Sequence, residues 1–537
     1  MDWVEPTNAF HCLNLAPTKK MKRRKFIQTT GLSIPFMVNG MNLRAMPKSS
    51  IFSAIADEND KVLVLVQLNG GNDGLSTITP LDQYDNLANV RGNILIPQSS
   101  LLNVGFNNAF HPNMTGLKSQ FDNGRMSIVQ GVGYPNQNRS HFRSTDIWTS
   151  GSPADEQWTT GWMGRYFQQG APDYPNGYPN EDQPDPFAIT MGSLVSETCQ
   201  GSAVNYSLAI NDPFSLNPLL DLEGSNPPNT PYGDELTFLR QSIEQTNAYG
   251  EVILNAAENA DNMVTYPGAD TNPLANQLKN VARMIAGGLH TKVYIVSIGG
   301  FDTHANQVQD GNPGQGIHAN LMAQLSEAVD TFQRDLQLLG IDQRVLTMTF
   351  SEFGRRIRSN DSLGTDHGDA APLMLFGSCV APGFIGDNPE IPVNPGVQDA
   401  IAMQYDFRNI YGSVLMDWFD VAEQDVKDLL YSEFIHLPII DGCDSVPTNE
   451  VIPQLEAVAY PNPFSRTVNI RFNCDSEHVK LSVFNGSAQE LQVLVNKRLS
   501  KGEHQFSFDG AHLPAGTYYL HLRLENGRQK TKLVVKQ

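Results

Sequence analysis

A chain of 537 residues is longer than one ordinary hydrophobic core can hold together, so more than one domain is expected. Apolar residues make up 40% of it and charged residues 18%, which excludes a wholly disordered chain. With 37 basic against 57 acidic side chains, the net charge of −20 argues against a nucleic-acid partner, because phosphate contacts need a basic face.

The first 50 residues read as an export leader rather than as part of a fold. Met21 opens MKRRKFIQTTGLSIPF, with Arg23 and Arg24 ahead of a modest apolar segment, and cleavage is expected near Ala45. The pattern Arg-Arg-x-Phe-Ile resembles the twin-arginine signal, which passes folded chains to its own export machinery. No later window holds the roughly 18 uninterrupted apolar residues of a membrane span, so no stable transmembrane segment is expected. Cys12, Cys199, Cys379, Cys443 and Cys474 show no Cys-x-x-Cys spacing, which speaks against a structural zinc ribbon.

An α/β domain is expected over residues 57–437. Residues 61–68, KVLVLVQL, form a continuous apolar run suited to a central parallel strand covered on both faces. The turn Asn69-Gly70-Gly71-Asn72-Asp73-Gly74 follows. Its glycines let backbone approach a ligand closely, and it is neither a P-loop nor a dinucleotide fingerprint. A helix beyond His111-Pro112 carries Met114, Leu117 and Phe121, and a strand covers 126–132. Ser140, His141, Arg143, Ser144 and Asp146 then crowd into seven residues ahead of Trp148. A helix starting near Ser140 offers free N–H groups and a positive dipole end to an anion, with Arg143 as a fork of donors. The same residues read equally well as an N-cap serine and a polar first turn. Residues 152–268 are irregular and read as a cap or insertion beside the sheet, with helices at 161–167 and 235–260.

Periodicity sharpens at Asn272-Pro273, a helix start with proline in the first helical position. Leu278, Val281, Ala282 and Ile285 form one apolar stripe, and Gly287 ends it. A strand at 293–298 leads into Gly299-Gly300-Phe301-Asp302-Thr303-His304. A long amphipathic helix carries Leu321 through Leu339, and a strand at 345–350 delivers Ser351 and Glu352. Strand, helix and strand make a βαβ unit with its two strands parallel. Asp302, His304 and Glu352 therefore emerge at one sheet edge, where open α/β sheets keep their ligands. A polar loop runs from Gly354 to Asp366-His367-Gly368, and a strand at 371–376 follows. Beyond a helix near 410–419 and a linker at 438–454, short alternating strands at 468–472, 479–484, 504–508, 517–524 and 531–536 predict a small all-β sandwich over 455–537.

Carboxylates and imidazoles arriving together suit zinc, manganese or iron, whereas an all-oxygen calcium cage would not need the histidines. The candidate metal ligands are Asp73, Asp302, His304, Glu352 and His367, for one or two divalent ions: zinc first, with manganese, iron or calcium as alternatives. Ser140, His141 and Arg143 are the candidates for catalysis on an anionic ester, with Arg355 or Arg356 as further counter-charges.

Five motifs in order, NGGNDGL, RSHFRSTDIWTSG, GGFDTH, SEFGRR and GTDHG, resemble the exported domain-of-unknown-function 1501 family, which is related to the alkaline phosphatase and sulfatase superfamily. The resemblance runs over about residues 60–430. It implies an alkaline phosphatase-like, mainly parallel sheet sandwiched by helices, a metal centre at the strand ends, and hydrolysis of phosphate or sulfate esters. It places Asp302, His304 and His367 around one metal and Glu352 where the superfamily keeps an aspartate for a second. Asn69, Asn72 or Asp73 falls at the acidic position after the first strand. The chain departs from the superfamily twice. Phe353 stands where a histidine often follows, and the nucleophile position falls on His141, beside Ser140. Either Ser140 attacks, or His141 attacks or binds metal, or the chemistry is lost. In the last case the alternative is a noncatalytic secreted or surface assembly protein. AYPNPF, PAGTYYLHL and KLVVKQ in turn resemble the type A sorting domain of type IX secretion. That implies passage through the periplasm and delivery by that machinery to the cell surface or the medium.

Overall fold

The apolar run after Lys61 forms strand β1, Val62–Asn69, buried along nearly its whole length. The computed structural model describes residues 36–38, 41–43, 59–216, 230, 246–441, 457–474, 477–485, 490–524 and 529–537. In it β1 lies inside a nine-stranded sheet. The other strands of that sheet are β2 (Met126–Gly133), β3 (Ala188–Met191), β4 (Ser207–Ile210), β5 (Val293–Gly299) and β6 (Val345–Phe350). After a separate ribbon of β7 (Arg355–Ser359) and β8 (Thr365–His367) come β9 (Ala371–Phe376), β10 (Gly383–Ile385) and β11 (Tyr405–Asp406). The spatial order is β10-β2-β9-β6-β1-β5-β3-β4, with β11 also paired to β2. Every pairing is parallel except those of β9, which runs antiparallel to β6 and β2.

Helices cover both faces because β1 alternates its apolar side chains between two cores. Leu63 and Leu65 meet Ile147, Trp148, Trp162 and Tyr411. These come from α2 (His141–Ser150), α3 (Trp162–Gly170) and α6 (Phe407–Asp417). Val62, Val64 and Val66 meet Leu117, Leu278, Val281, Leu325 and Val329 on the other side. Those come from α1 (Thr115–Asp122), α4 (Pro273–Ala286) and α5 (Ile317–Leu339). Asn272 caps α4 by accepting the Ala275 N–H, with Pro273 next to it, and Gly340 ends α5 at φ 74°. The β5–α5–β6 unit is parallel, with β1 lying between its two strands. The C-terminal ends of all three strands share one edge.

Two regions differ from the sequence expectation. Residues 152–268 do more than sit beside the sheet: β3 and β4 extend its edge, and α3 sends Trp162 and Tyr166 into the core. Those strands are only four residues each, too short for a periodic signal. The segment from Gly354 to His367 is a ribbon rather than an open loop, with Arg355 opposite His367. Its charged side chains carry no apolar alternation that would reveal a strand. The helix expected at 235–260 is described from 246 to 259. The rest of it, the basic pair of the leader and residues 442–454 of the linker lie outside the described residues.

The C-terminal region is all-β. One antiparallel sheet holds β12 (Ala457–Tyr460), β13 (Thr467–Cys474) and β16 (Gly502–Asp509). The other orders β15 (Glu490–Leu499), β14 (Glu477–Phe484), β17 (Gly516–Leu524) and β18 (Gln529–Lys536). Val468, Ile470 and Phe472 share one core with Val479, Leu481, Leu520 and Leu522. The chain divides into two units, Met1–Ser49 and Ser50–Gln537, and within the first Phe36–Val38 pairs antiparallel with Met41–Leu43. Among the described residues no helix is long and apolar enough to cross a membrane. Cys199 and Cys474 are buried thiols, and Cys379 is disulfide-bonded.

The glycines after β1 set how closely the neighbouring loops approach. A Cβ on Gly70 (φ +122°) would lie 2.3 Å from the Asp302 nitrogen, and one on Gly71 (φ +76°) 2.3 Å from the Phe353 ring. Gly70→Ala and Gly71→Ala should each lower the unfolding free energy by about 2–4 kcal/mol. Gly105→Ala, at φ +79° with nothing within 4 Å, should lose only about 1 kcal/mol. Urea midpoints of the three variants check this ranking.

Candidate metal centre

Three imidazoles reach one carboxylate oxygen at the edge shared by β1, β5 and β6. Asp302 and His304 follow β5, His367 ends β8, and His141 is the first residue of α2. Asp302 Oδ1 lies 3.1 Å from His367 Nε2, 3.2 Å from His304 Nε2 and 3.4 Å from His141 Nε2. Ligand atoms of His141, Asp302 and His367 all fall within 4.8 Å of one another. His304 Nε2 joins them at 2.8 Å from His367 Nε2.

The other nitrogen of each ring fixes its tautomer. His367 Nδ1 donates to the Arg139 carbonyl at 2.8 Å, and His304 Nδ1 to Asp366 Oδ1 at 3.1 Å. His141 Nδ1 lies 2.7 Å from Glu352 Oε1, which also accepts the Gly70 N–H at 2.9 Å. With each Nδ1 donating outward, each ring in its neutral form turns an Nε2 lone pair inward. His141 Nε2 is buried without a hydrogen-bond partner. Lone pairs of three rings facing a carboxylate repel unless a cation lies among them, so the donor set fits a divalent ion.

Electrostatics agree. Burial works against the charge on Asp302, yet bonds from Arg355 and His367 hold its pKa at about 2. Burial also lowers the pKa of His367, despite its bonds to the Arg139 carbonyl and Asp302, which favours the neutral, ligating form. Asp366 is likewise under pressure from burial, and His304, Asn360 and Arg356 bring its pKa below the usual carboxylate range.

The remaining sequence candidates are placed differently. Glu352 is 4% exposed and lies beneath His141, orienting the ring instead of joining the cluster. Asp73 is buried away from the cluster, paired with Arg91 at 3.0 Å and bonded to Ser76 and Gln307 at 2.6 Å each. Ser140 is exposed and its side chain caps nothing. Arg143 pairs with Asp146 and donates to the carbonyls of Pro153, Ala154 and Glu156. Arg355 is fully buried, and Arg356 is bonded to Asp366 at 2.9 Å. Neither is free to meet a ligand. The ring of Phe353 packs on His141 and His367, with centroids 4.8 and 4.5 Å away. Sequence reasoning overlooked the Asp366 and Arg139 contacts, although Asp366 stands directly beside His367.

The class defined by fold and site is an α/β protein whose mainly parallel sheet, covered by helices on both faces, carries a histidine–carboxylate cluster at its strand ends. The model for "Protein of unknown function (DUF1501)" matches residues 97–407, and the chain belongs to that family. Residues 458–536 match the secretion system C-terminal sorting domain, a tail that marks a chain for the cell surface or beyond. No curated protein matches the chain. Among solved structures, a protein in the alkaline phosphatase superfamily from Vibrio parahaemolyticus is 9% identical, covering 86% of this chain and 92% of its own, with TM-score 0.29. A sulfatase from Pseudoalteromonas sp. is 10% identical over 85% and 86%, TM-score 0.31. A phosphonate monoester hydrolase from Silicibacter pomeroyi is 9% identical over 88% of each chain, TM-score 0.29.

Two buried histidines, packed edge to face against each other, predict acid sensitivity. His111 is 1% exposed and burial lowers its pKa from 6.5 to about 3; His318 is 2% exposed and held at about 4 for the same reason. The unfolded chain takes up these protons below pH 6.5 and the folded chain does not, so stability is present above pH 6.5 and lost as pH falls toward 3. His111→Gln should remove about 3 kcal/mol of the stability lost between pH 7 and pH 4. Urea unfolding at the two pH values measures the difference.

Proposed function

We propose that the protein is an exported metal-dependent hydrolase of phosphate or sulfate esters, working with a single divalent ion, zinc first. The observation that carries this reading is the convergence of three Nε2 lone pairs on Asp302, with every Nδ1 spent on an outer acceptor. His141, Asp302 and His367 would hold the ion, with His304 adjoining. When bound, the ion would polarise an ester oxygen and make water a better nucleophile. With Phe353 and the inward turn of Glu352 at this edge, no second ligand set stands beside it among the described residues.

The chain's own residues do the rest. Glu352, Asp366 and the Arg139 carbonyl hold the rings in register. The first N–H groups of α2, left uncapped by Ser140, offer donors to an anionic ester. Ser144 is already bonded to Tyr134 and to the Glu352 carbonyl, and among the described residues no base is hydrogen-bonded to the Ser140 hydroxyl. Water, rather than a side-chain hydroxyl, is therefore the attacking group in this reading. Export through the twin-arginine and type IX machineries is supported by the Arg23-Arg24 pair and by the sorting tail. The Cys379 disulfide is of a kind that persists outside the cytosol.

One observation favours a noncatalytic surface or assembly protein. Arg143, Arg355 and Arg356 all have carboxylate and carbonyl partners. Elemental analysis with an aryl phosphate and aryl sulfate screen decides between the two readings. The hydrolase should carry about one ion per chain, and His141→Ala and His367→Ala should lose the ion and at least roughly a hundredfold in turnover. Ser140→Ala should stay within about threefold of wild type. Metal-free protein without ester turnover would establish the noncatalytic reading, and loss of turnover in Ser140→Ala with the ion retained would return the attack to serine.

A further inference from the structure

Two of the three segments that carry the candidate ligands, Asp302–His304 and Asp366–His367, are joined from below by a buried amide. Gln307 is 0% exposed, and its carbonyl oxygen accepts the Thr303 hydroxyl at 3.0 Å and the Thr365 hydroxyl at 2.7 Å. Thr303 lies between Asp302 and His304, and Thr365 directly precedes Asp366 and His367. Both threonines are buried, at 1% and 0% exposure. The Gln307 amide nitrogen donates to Asp73 Oδ2 at 2.6 Å. A carboxylate accepts only, so the amide cannot be turned over without placing oxygen against oxygen. Asp73 is fixed in turn by Arg91, whose Nε and Nη2 donate to the carbonyls of Ile357 and Arg356 in β7.

We infer that Gln307 is a positioning residue for the metal centre: one side chain, held in one orientation by Asp73, sets the spacing of the Asp302–His304 and Asp366–His367 segments. The inference rests on the proposed metal site and goes beyond it, because Gln307 touches none of the ligand side chains. The neighbouring backbone supports the same role. The Thr365 N–H donates to the Thr303 carbonyl at 3.1 Å, and Asn360 Nδ2 donates to the His304 carbonyl at 2.9 Å. A Cβ on Gly364 would lie 2.3 Å from that same His304 carbonyl oxygen. The two segments are thus pressed together, and the two hydroxyls on Gln307 fix their register. Removing the amide leaves both hydroxyls short of their acceptor in a dry interior, while Asp73 keeps Ser76 and Arg91, so the two segments must shift to rehydrate the hydroxyls.

The test uses the full chain and zinc alone as probe, with affinity read by competition against a chromogenic chelator. Hydrogen–deuterium exchange of peptides covering 299–307 and 363–368 is read on the same samples. Gln307→Leu should weaken zinc binding by roughly ten- to a hundredfold, the range typical of partners that orient ligands, and should deprotect both peptides together. Gln333→Leu is the control. Gln333 is equally buried at 1% exposure and donates to the Thr347 hydroxyl at 3.0 Å, away from the site. It should lower the melting temperature while leaving zinc affinity within about twofold, because substitutions at sites with no shared partners act independently. If Gln307→Leu does not fold, Thr303→Val and Thr365→Val each remove one of the two hydroxyl bonds and should give a smaller shift in the same direction. Wild-type zinc affinity and unchanged exchange in these variants would overturn the inference. Wild-type protein that takes up no zinc would instead remove the metal reading, and paired exchange of the two peptides would still decide the coupling.

Discussion

A buried guanidinium holds the strand-end edge in one geometry. Arg355 Nε donates to the Gly71 carbonyl at 2.6 Å, Nη1 to Thr365 at 2.9 Å, and Nη2 to Gly70, to Phe301 at 3.0 Å and to Asp302 Oδ1 at 2.9 Å. These partners belong to the turn after β1, the loop after β5 and strand β8. Loops at strand ends leave backbone carbonyls with no ladder partner, and a buried carbonyl left unpaired costs free energy comparable to a lost hydrogen bond. Donors in one rigid plane satisfy carbonyls from two loops and strand β8 at once, which a lysine could not do. The one charged acceptor is the oxygen around which the histidines gather. Placement of the ligand and satisfaction of the backbone are therefore one event. The two glycines after β1 are part of it, since any side chain there would push the loops off the guanidinium.

The substitution of roles at His141 and Glu352 follows from the same packing. α2 begins at the sheet edge, and its first side chain points into the cluster because Glu352 accepts the Nδ1–H hydrogen bond from below. Glu352 in turn is 4% exposed and takes the Gly70 N–H. A carboxylate so placed serves better by orienting a ring than by reaching an ion itself. With Phe353 stacked against two of the rings, the cluster has one apolar wall and one carboxylate. That composition suits one ion more than two.

Much of this was legible in the residues. The strand at β1 announced itself as an unbroken apolar run, and Asn272-Pro273 and Gly340 gave the limits of their helices through capping chemistry. The βαβ reading of β5–α5–β6 put Asp302, His304 and Glu352 on one edge, because parallel strands with a helical crossover leave no other arrangement. What periodicity could not report was depth. Asp73 and Glu352 look in sequence like any acidic residue after a strand, and only burial tells a ligand from the residue supporting it. Gln307 gave no signal at all, since an amide linking two hydroxyls from distant segments has no spacing of its own. β3 and β4 escaped for a different reason: four-residue strands at a sheet edge are too short to show a period.

The occupied arginines bear directly on how an anionic ester would be held. Arg355 already answers the charge of Asp302, and the Nδ1 of each ring is spent on an outer acceptor. A divalent ion in that setting would keep most of its charge for whatever enters from solvent, so a dedicated arginine is not required for attraction at contact distance. Farther away the balance reverses. The chain carries a net charge of −20, and that field opposes the approach of an anion until salt screens it, over roughly 8–10 Å under physiological conditions. A site that attracts at short range within a surface that repels at long range favours substrates presented at high local concentration, as on a polymer or a cell surface, over dilute free anions. Delivery to the cell surface or beyond, which the sorting tail implies, would bring the proposed site to substrates of that kind.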